Sequence, residues 1–333
     1  MAKTAQTASY PRRAGVAIDV LETLDLEETR SEIRLGLLRR PREISPKFFY
    51  DDRGAALFER ICDLPEYYLT RTERALLTRF ADRIAEWSRA DALVELGSGS
   101  SSKTRLLLDA LARMGRLSLY VPLDVNEGAV QRVAADLTAD YPGLRVHGVV
   151  GDFMKHLDYI PDGGRRLVIF LGGTIGNLRP HRAVALLSRV SAQMRPGEFF
   201  LLGTDLIKDV DRLEAAYNDA QGVTAQFNKN VLRALNNLLN ADFDPDAFEH
   251  RAFYDREHNW IEMRLRSRRR QIVRLPGVAL EIAFHEGEEI LTEISAKYDR
   301  RGVQHMLERS GFRPVEWMTD PESLFALSLA KKV

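Results

Sequence analysis

The chain has one cysteine in 333 residues, Cys62, so an internal disulfide is excluded. No apolar run approaches the roughly 20 residues of a membrane span. Neither sign of charge is in excess: Lys plus Arg and Asp plus Glu are 48 each, and nothing steers the molecule as a whole toward nucleic acid or an anionic membrane. The segment Met1 to Arg13 is polar and basic and lacks the apolar centre of a secretory signal. His156, His181, His250, His258, His285 and His305 form no pair at metal-ligand spacing. These absences point to a cytoplasmic protein that handles a small molecule, with no metal, no nucleic-acid partner and no membrane. Cys62 ends the amphipathic stretch Leu57 to Cys62 and reads as a structural thiol.

What is present is length and alternation. A chain this long exceeds one core, so two domains are expected. Residues 1–17, with Thr, Ser, Pro and Arg but no apolar period, read as a loose tail. Helical spacing from Arg71 to Arg89 precedes a buried strand, Ala92 to Leu96. Helix Lys103 to Met114, strand Leu117 to Asp124, helix Glu127 to Tyr141 and strand Arg145 to Val150 follow. Strand Arg166 to Leu171, helix Pro180 to Gln193 and strand Glu198 to Gly203 continue the series. Buried strands separated by helices predict an α/β fold with a doubly wound parallel sheet. Near the C-terminus a helix, Val303 to Ser310, precedes two further strands, Pro314 to Met318 and Ser323 to Ala330. They resemble the terminal antiparallel hairpin of the class I methyltransferase sheet. Residues 71–206 and 298–333 are thus expected to form a cofactor-binding domain. Residues 18–70 and 207–297 are expected to form an inserted α+β substrate-binding domain.

Ligands of open parallel sheets sit at the carboxyl ends of the strands, beside a glycine-rich first turn. Glu95-Leu96-Gly97-Ser98-Gly99-Ser100 occupies that turn, and the glycine that a dinucleotide fingerprint needs at position 102 is Ser102. The acid-x-Gly-x-Gly form resembles the first motif of class I methyltransferases, whose cofactor, S-adenosylmethionine, has no phosphate. Asp124, at the end of the second strand, suits two ribose hydroxyls. The resemblance implies that Asp152, after the third strand, takes the adenine amino group and the backbone of Phe153 the ring. Between the fourth strand and its helix, Gly172, Gly173, Gly176 and Asn177 allow backbone to approach a methyl acceptor.

The segments Lys47 to Asp51, Leu64 to Glu73, Leu171 to Leu178, Leu202 to Lys208, Ala216 to Asp219, Phe227-Asn228 and Thr292 to Ser295 together resemble the histidine Nα-methyltransferases of ergothioneine biosynthesis over nearly the whole chain. Gly173, where Ser is expected, and Phe48, near which Trp is common, are small departures. The resemblance implies transfer of three methyl groups from S-adenosylmethionine to the α-amine of L-histidine. The mono- and dimethylated amino acids are intermediates, hercynine is the product, and S-adenosylhomocysteine is released.

The same resemblance implies roles for single residues. Glu95, Gly97, Ser98, Gly99 and Lys103, with Gly172 beyond the fourth strand, would join Asp124, Asp152 and Phe153 around the cofactor. Asn177 and Tyr217 would hold the substrate carboxylate and orient the amine. Glu293 and Ser295, two apart on a strand, would bind the imidazole nitrogens. Tyr67, Met263 and Ile294 would line that pocket, and Tyr50 would shepherd protons. A carboxylate against imidazole favours the protonated ring and disfavours Phe, Leu or Trp. With a complete set of groups in one chain, a monomer is expected. Other readings are an N-methyltransferase of another amino acid or amine, and a non-catalytic sensor of the cofactor. Arg264, Arg266, Arg268, Arg269, Arg270 and Arg274, alternating with Met263, Leu265 and Ile272, read as a solvated strand face.

Overall fold

The computed structural model describes residues 8–9, 15–21 and 26–333, and these divide into two compact units. One holds the described residues up to Leu21 with Thr72–Leu206 and Tyr298–Val333. The other holds those from Leu26 to Arg71 with Ile207–Lys297.

The first unit is built on a nine-stranded sheet. At its centre Ala92–Leu96 lies between Leu119–Asp124 and Arg166–Phe170, all parallel. Arg145–Val150 and Phe199–Asp205 extend the parallel array on the two sides. Beyond Phe199–Asp205 the antiparallel pair Phe325–Lys332 and Phe312–Thr319 closes that edge. This is the doubly wound sheet with a terminal hairpin that the alternation predicts. Its central strands are buried on both faces, and their Leu, Val and Phe side chains share a core with the helix Pro180–Ala192.

At the opposite edge the structure corrects the sequence reading. Val16–Val20 is a strand, parallel to Arg145–Val150, and Ala8–Ser9 pairs with it antiparallel. Ile18 and Leu21 are buried there. The positions read as the end of a tail and the start of a substrate domain therefore belong to the cofactor sheet. Residues 1–7 and 10–14 lie outside the described residues. The five-residue strand is too short to show a period, and its partner, more than a hundred positions away, supplies the pairing.

The loops that leave the strand ends are held by side-chain caps. Asn126 accepts from Ala129 N at 2.8 Å and starts the helix Glu127–Asp140, whose Val130, Val133, Ala134 and Leu137 face the sheet at helical spacing.

The second unit contains a four-stranded sheet in the order Arg42–Glu43, Glu289–Ala296, Trp260–Ser267, Phe248–Asp255, with a separate hairpin of Gln271–Leu275 and Leu280–Phe284. The helices Asp52–Cys62 and Val223–Leu239 pack together. Asp51 caps the first, accepting from Gly54 N at 2.7 Å, and also accepts from Asn230 Nδ2 at 2.7 Å. A Cβ on Gly54 would lie 1.6 Å from the Phe49 carbonyl oxygen, so this approach, which fixes the turn bearing Tyr50, requires glycine. In the arginine-rich stretch the alternation runs opposite to expectation at one point. Ile272 is exposed while Val273 and Leu275 are buried, and Arg264 is tied to Glu262 and Glu289. No helix among the described residues is long and apolar enough to cross a membrane.

Candidate active site

In the first unit the glycine turn follows Ala92–Leu96. Gly97 and Gly99 have φ of +69° and +50°, which L side chains resist, and a Cβ at Gly97 would touch the Phe153 ring at 3.7 Å. Gly97 N donates to Leu123 O at 2.8 Å, and Gly99 N donates to Asp124 Oδ2 at the same distance. The other Asp124 oxygen accepts from Asn126 N at 2.9 Å. Burial pushes the Asp124 carboxyl above its usual value against the pull of these N–H groups. A carboxylate has about four acceptor directions, and the backbone N–H groups of Asn126, Gly99 and Val125 act on Asp124, so it retains capacity for a further hydroxyl donor. The Ser98 hydroxyl is buried with no hydrogen-bond partner.

Asp152 Oδ1 accepts from Met154 N at 2.7 Å, and Phe153 packs edge-on against Phe170 with ring centroids 5.2 Å apart. A turn that holds no side chain, a carboxylate with spare acceptor capacity, an unpartnered hydroxyl and an aromatic ring suit a nucleoside that carries no phosphate. The residues present fit S-adenosylmethionine.

Glu95 faces inward. Its carboxyl accepts from Thr104 Oγ1 at 2.5 Å, from Ser101 Oγ at 3.2 Å and from the Tyr120 hydroxyl. Burial raises it to about 7, with the Thr104 and Tyr120 hydrogen bonds and the Lys103 charge opposing. It braces the turn from behind. Lys103 is likewise engaged by the protein, paired with the fully buried Glu73. Glu73 also accepts from Gly172 N, at 2.8 and 3.0 Å for its two oxygens. A Cβ on Gly203 would lie 2.2 Å from Glu73 Oε1. Glu73 thus joins the helix Tyr68–Ser88 to the loop after the fourth parallel strand, and sequence reasoning assigned it no role. Gly172 and Gly173 take φ of +75° and +68°, turning the chain into the short helix Thr174–Asn177, where Asn177 is half-buried.

The second unit holds the residues expected to recognise the substrate, apart from Asn177, which belongs to the first. Glu293 and Ser295 project from one face of Glu289–Ala296, and Met263 stands directly across from Glu293 on Trp260–Ser267. Ile294 points to the other face, opposite Glu262, so the structure separates its side chain from this group. The Tyr217 hydroxyl donates to Ser295 Oγ at 2.7 Å, and the Tyr67 ring meets the Tyr217 ring edge-on at 6.3 Å. Tyr50 packs edge-on against Phe58 and Phe227, each at 5.8 Å between centroids. Burial raises Tyr67 well above its usual value, with Tyr217, Cys62, Tyr50 and Glu293 adding to the effect. Burial also raises Glu293 to about 8, against the opposing charge of Lys297.

Lys297 is the residue that sequence reasoning missed. It is 3% exposed, and its Nζ donates to Ser295 Oγ at 2.8 Å and to Tyr217 OH at 3.0 Å. Its ammonium also sits 4.8 Å from the centre of the Tyr217 ring. The signal was available, since Glu293, Ser295 and Lys297 continue one period of two. Behind them His250 Nε2 lies 2.9 Å from the Tyr217 carbonyl oxygen, and its Nδ1 lies 2.8 Å from Asn228 Nδ2. Asn228 Oδ1 in turn lies 2.7 Å from Thr292 Oγ1. Burial lowers His250, so it stays neutral, donating from Nε2 and accepting at Nδ1.

Comparison with known proteins identifies the lineage of the chain. Residues 29–332 match the family described as histidine-specific, SAM-dependent methyltransferases. The histidine N-alpha-methyltransferase of Mycolicibacterium smegmatis is 50% identical over 91% of this chain and 95% of its own. That of Mycobacterium tuberculosis is 47% identical over 91% and 94%. Ergothioneine biosynthesis protein 1 of Neurospora crassa is 32% identical over 64% of this chain and 26% of its own length. On this match the chain belongs to the family of SAM-dependent, histidine-specific methyltransferases.

Proposed function

We propose that the protein transfers three methyl groups in succession to the α-amine of L-histidine, forming the Nα-trimethylated betaine, hercynine, for ergothioneine synthesis. The observation that carries this reading is the buried cluster of Glu293, Ser295, Tyr217 and Lys297 in a member of this family. A pocket that holds a carboxyl and a hydroxyl on one strand face fits a ring with two nitrogens, and each of those nitrogens needs a partner once water is lost. A purely hydrocarbon side chain would offer neither group a hydrogen-bond partner, and discrimination of that kind exceeds what shape alone provides.

S-adenosylmethionine, when bound, supplies an electrophilic methyl on a sulfonium. Asp124, Asp152, Phe153 and the backbone of the Gly97–Gly99 turn would hold it, with Glu95, Glu73 and Lys103 bracing the loops. The amine attacks with its lone pair, forming the N–C bond as the S–C pair returns to sulfur. Each round therefore needs an unprotonated nitrogen, and the first two products must each lose a proton before the next transfer. Tyr50 is assigned that proton traffic, and Asn177 the carboxylate of the amino acid. The third product has no proton to lose, and aromatic rings such as Tyr67 and Tyr217 suit a quaternary ammonium. Orientation and exclusion of water supply most of the rate. This chemistry requires no metal ion, nucleic acid or membrane, and every group it uses lies in one chain, which supports a cytoplasmic monomer.

The test is incubation with S-adenosylmethionine and either histidine or tryptophan, followed by mass spectrometry. Mono-, di- and trimethylhistidine should appear in sequence. Methylated tryptophan with unaltered histidine would show another amino-acid substrate, and no methylated product at all would indicate a sensor.

A further inference from the structure

We propose that Lys297 sets the direction of the hydroxyl chain in the second unit, so that Ser295 can only donate toward the acceptor. The site then selects the neutral imidazole ring, with its single N–H facing Glu293. This inference rests on the histidine reading and deepens it, and it reverses the expectation that the carboxylate draws in a protonated ring.

The argument is a count of donors and lone pairs. A lysine ammonium has three N–H groups and no acceptor, so an oxygen that it bonds must accept from it. Ser295 Oγ at 2.8 Å and Tyr217 OH at 3.0 Å are two such oxygens. The Tyr217 hydroxyl spends its own hydrogen on Ser295 at 2.7 Å. Ser295 Oγ thus accepts two hydrogen bonds, which fills both of its lone pairs. Its remaining hydrogen is directed elsewhere, and Ser295 is 4% exposed, so water is a poor recipient.

The arrangement is held from behind. Tyr217 is fixed through its carbonyl by His250, which Asn228 and Thr292 hold in one tautomer. A ring nitrogen opposite Ser295 must therefore offer a lone pair. An imidazolium offers an N–H at both nitrogens, and one of them would point at an oxygen with no free acceptor. The neutral ring offers one lone pair for Ser295 and one N–H for Glu293, whose carboxyl can accept in either protonation state. Lys297 is accordingly a positioning residue, acting through Ser295 and Tyr217.

The experiment is nitrogen NMR of histidine labelled with 15N at both ring positions, bound to the full chain with S-adenosylhomocysteine near neutral pH. One pyridine-type and one pyrrole-type resonance are expected. Two pyrrole-like resonances of an imidazolium would overturn the proposal while leaving histidine as the substrate, whereas no binding of histidine would overturn both readings. In Lys297→Met, histidine affinity should fall about tenfold to a hundredfold and the pyridine-type signal should be lost or shifted. Unchanged affinity and spectrum would overturn the role of Lys297. Ser295→Ala removes the donor and keeps the ammonium, so it tests the same point if Lys297→Met fails to fold. It should weaken histidine to a similar degree, and wild-type affinity would refute the hydroxyl order.

Discussion

Replacing Glu293 by Gln should make the protein more stable at alkaline pH while impairing histidine methylation. Burial moves the Glu293 carboxyl from an ordinary value of 4.5 to about 8, with the Lys297 charge opposing. The folded state holds the proton more tightly than the unfolded state, so stability is greatest below the unfolded value. It declines as pH rises toward 8 and levels off above it. Each unit of pKa is worth about 1.4 kcal/mol, so the fully ionised carboxylate costs the free enzyme about 5 kcal/mol, and about 3 kcal/mol at pH 7. Gln has nearly the same shape and no proton to lose, so Glu293→Gln should remove this slope. Urea unfolding can be followed through Trp260, which is buried in the second unit, after Trp87 and Trp317 are changed to Phe. The gap between variant and wild type should be near zero at pH 4.5 and widen through pH 8. Parallel curves, or a variant less stable than wild type at pH 8.5, would refute the reasoning. The same variant should raise the KM for histidine, since the amide can meet a ring N–H but no longer as a carboxylate.

Two further outcomes follow from the first unit. Gly203→Ala places a methyl where Glu73 Oε1 stands. Displacing a fully buried carboxylate that pairs with Lys103 and holds Gly172 N should cost about 3–5 kcal/mol in thermal or urea unfolding, and a neutral result would show that Glu73 has room to move. Asp124→Asn keeps one acceptor oxygen and replaces the other, the partner of Gly99 N or of Asn126 N, by a donor. Calorimetry should show S-adenosylhomocysteine binding weakened about tenfold or more.

The sheet was legible in the sequence because its central strands are buried on both faces and separated by helices with a clear period. The glycine turns marked the ends of the first and fourth parallel strands, and Asp124 and Asp152 marked two others. Val16–Val20 was not legible, being five residues long and paired across the chain with Arg145–Val150. Nor were the partners of the buried charges. Glu73 meets Gly172 across 99 positions, and Lys297 meets Tyr217 across 80, so no local pattern announces either contact. The family resemblance places Glu95 and Lys103 beside the cofactor loop. Only packing shows that their charges are taken up by Thr104, Tyr120 and Glu73.

That difference separates carboxyls that build the site from those that serve a ligand. Glu95 takes three hydroxyl donors from its own unit, and Glu73 takes an ammonium and a backbone N–H, so both are provided for by the fold itself. Asp124 and Glu293 differ from them in position, Asp124 at the carboxyl end of a parallel strand and Glu293 on the strand face that also carries Ser295. Burial prevails over three backbone donors at Asp124 and over the charge of Lys297 at Glu293, as it does over the hydroxyl donors at Glu95. Ionising a buried acid destabilises the free protein, and a hydroxyl or ring N–H that donates to it offsets part of that cost as binding energy. Asp124, at the end of a parallel strand, is suited to a nucleoside in this way, and Glu293, beside a hydroxyl that can only donate, is suited to a ring with one N–H and one lone pair. The two acids so placed are thus the ones we propose for the two molecules that the reaction uses.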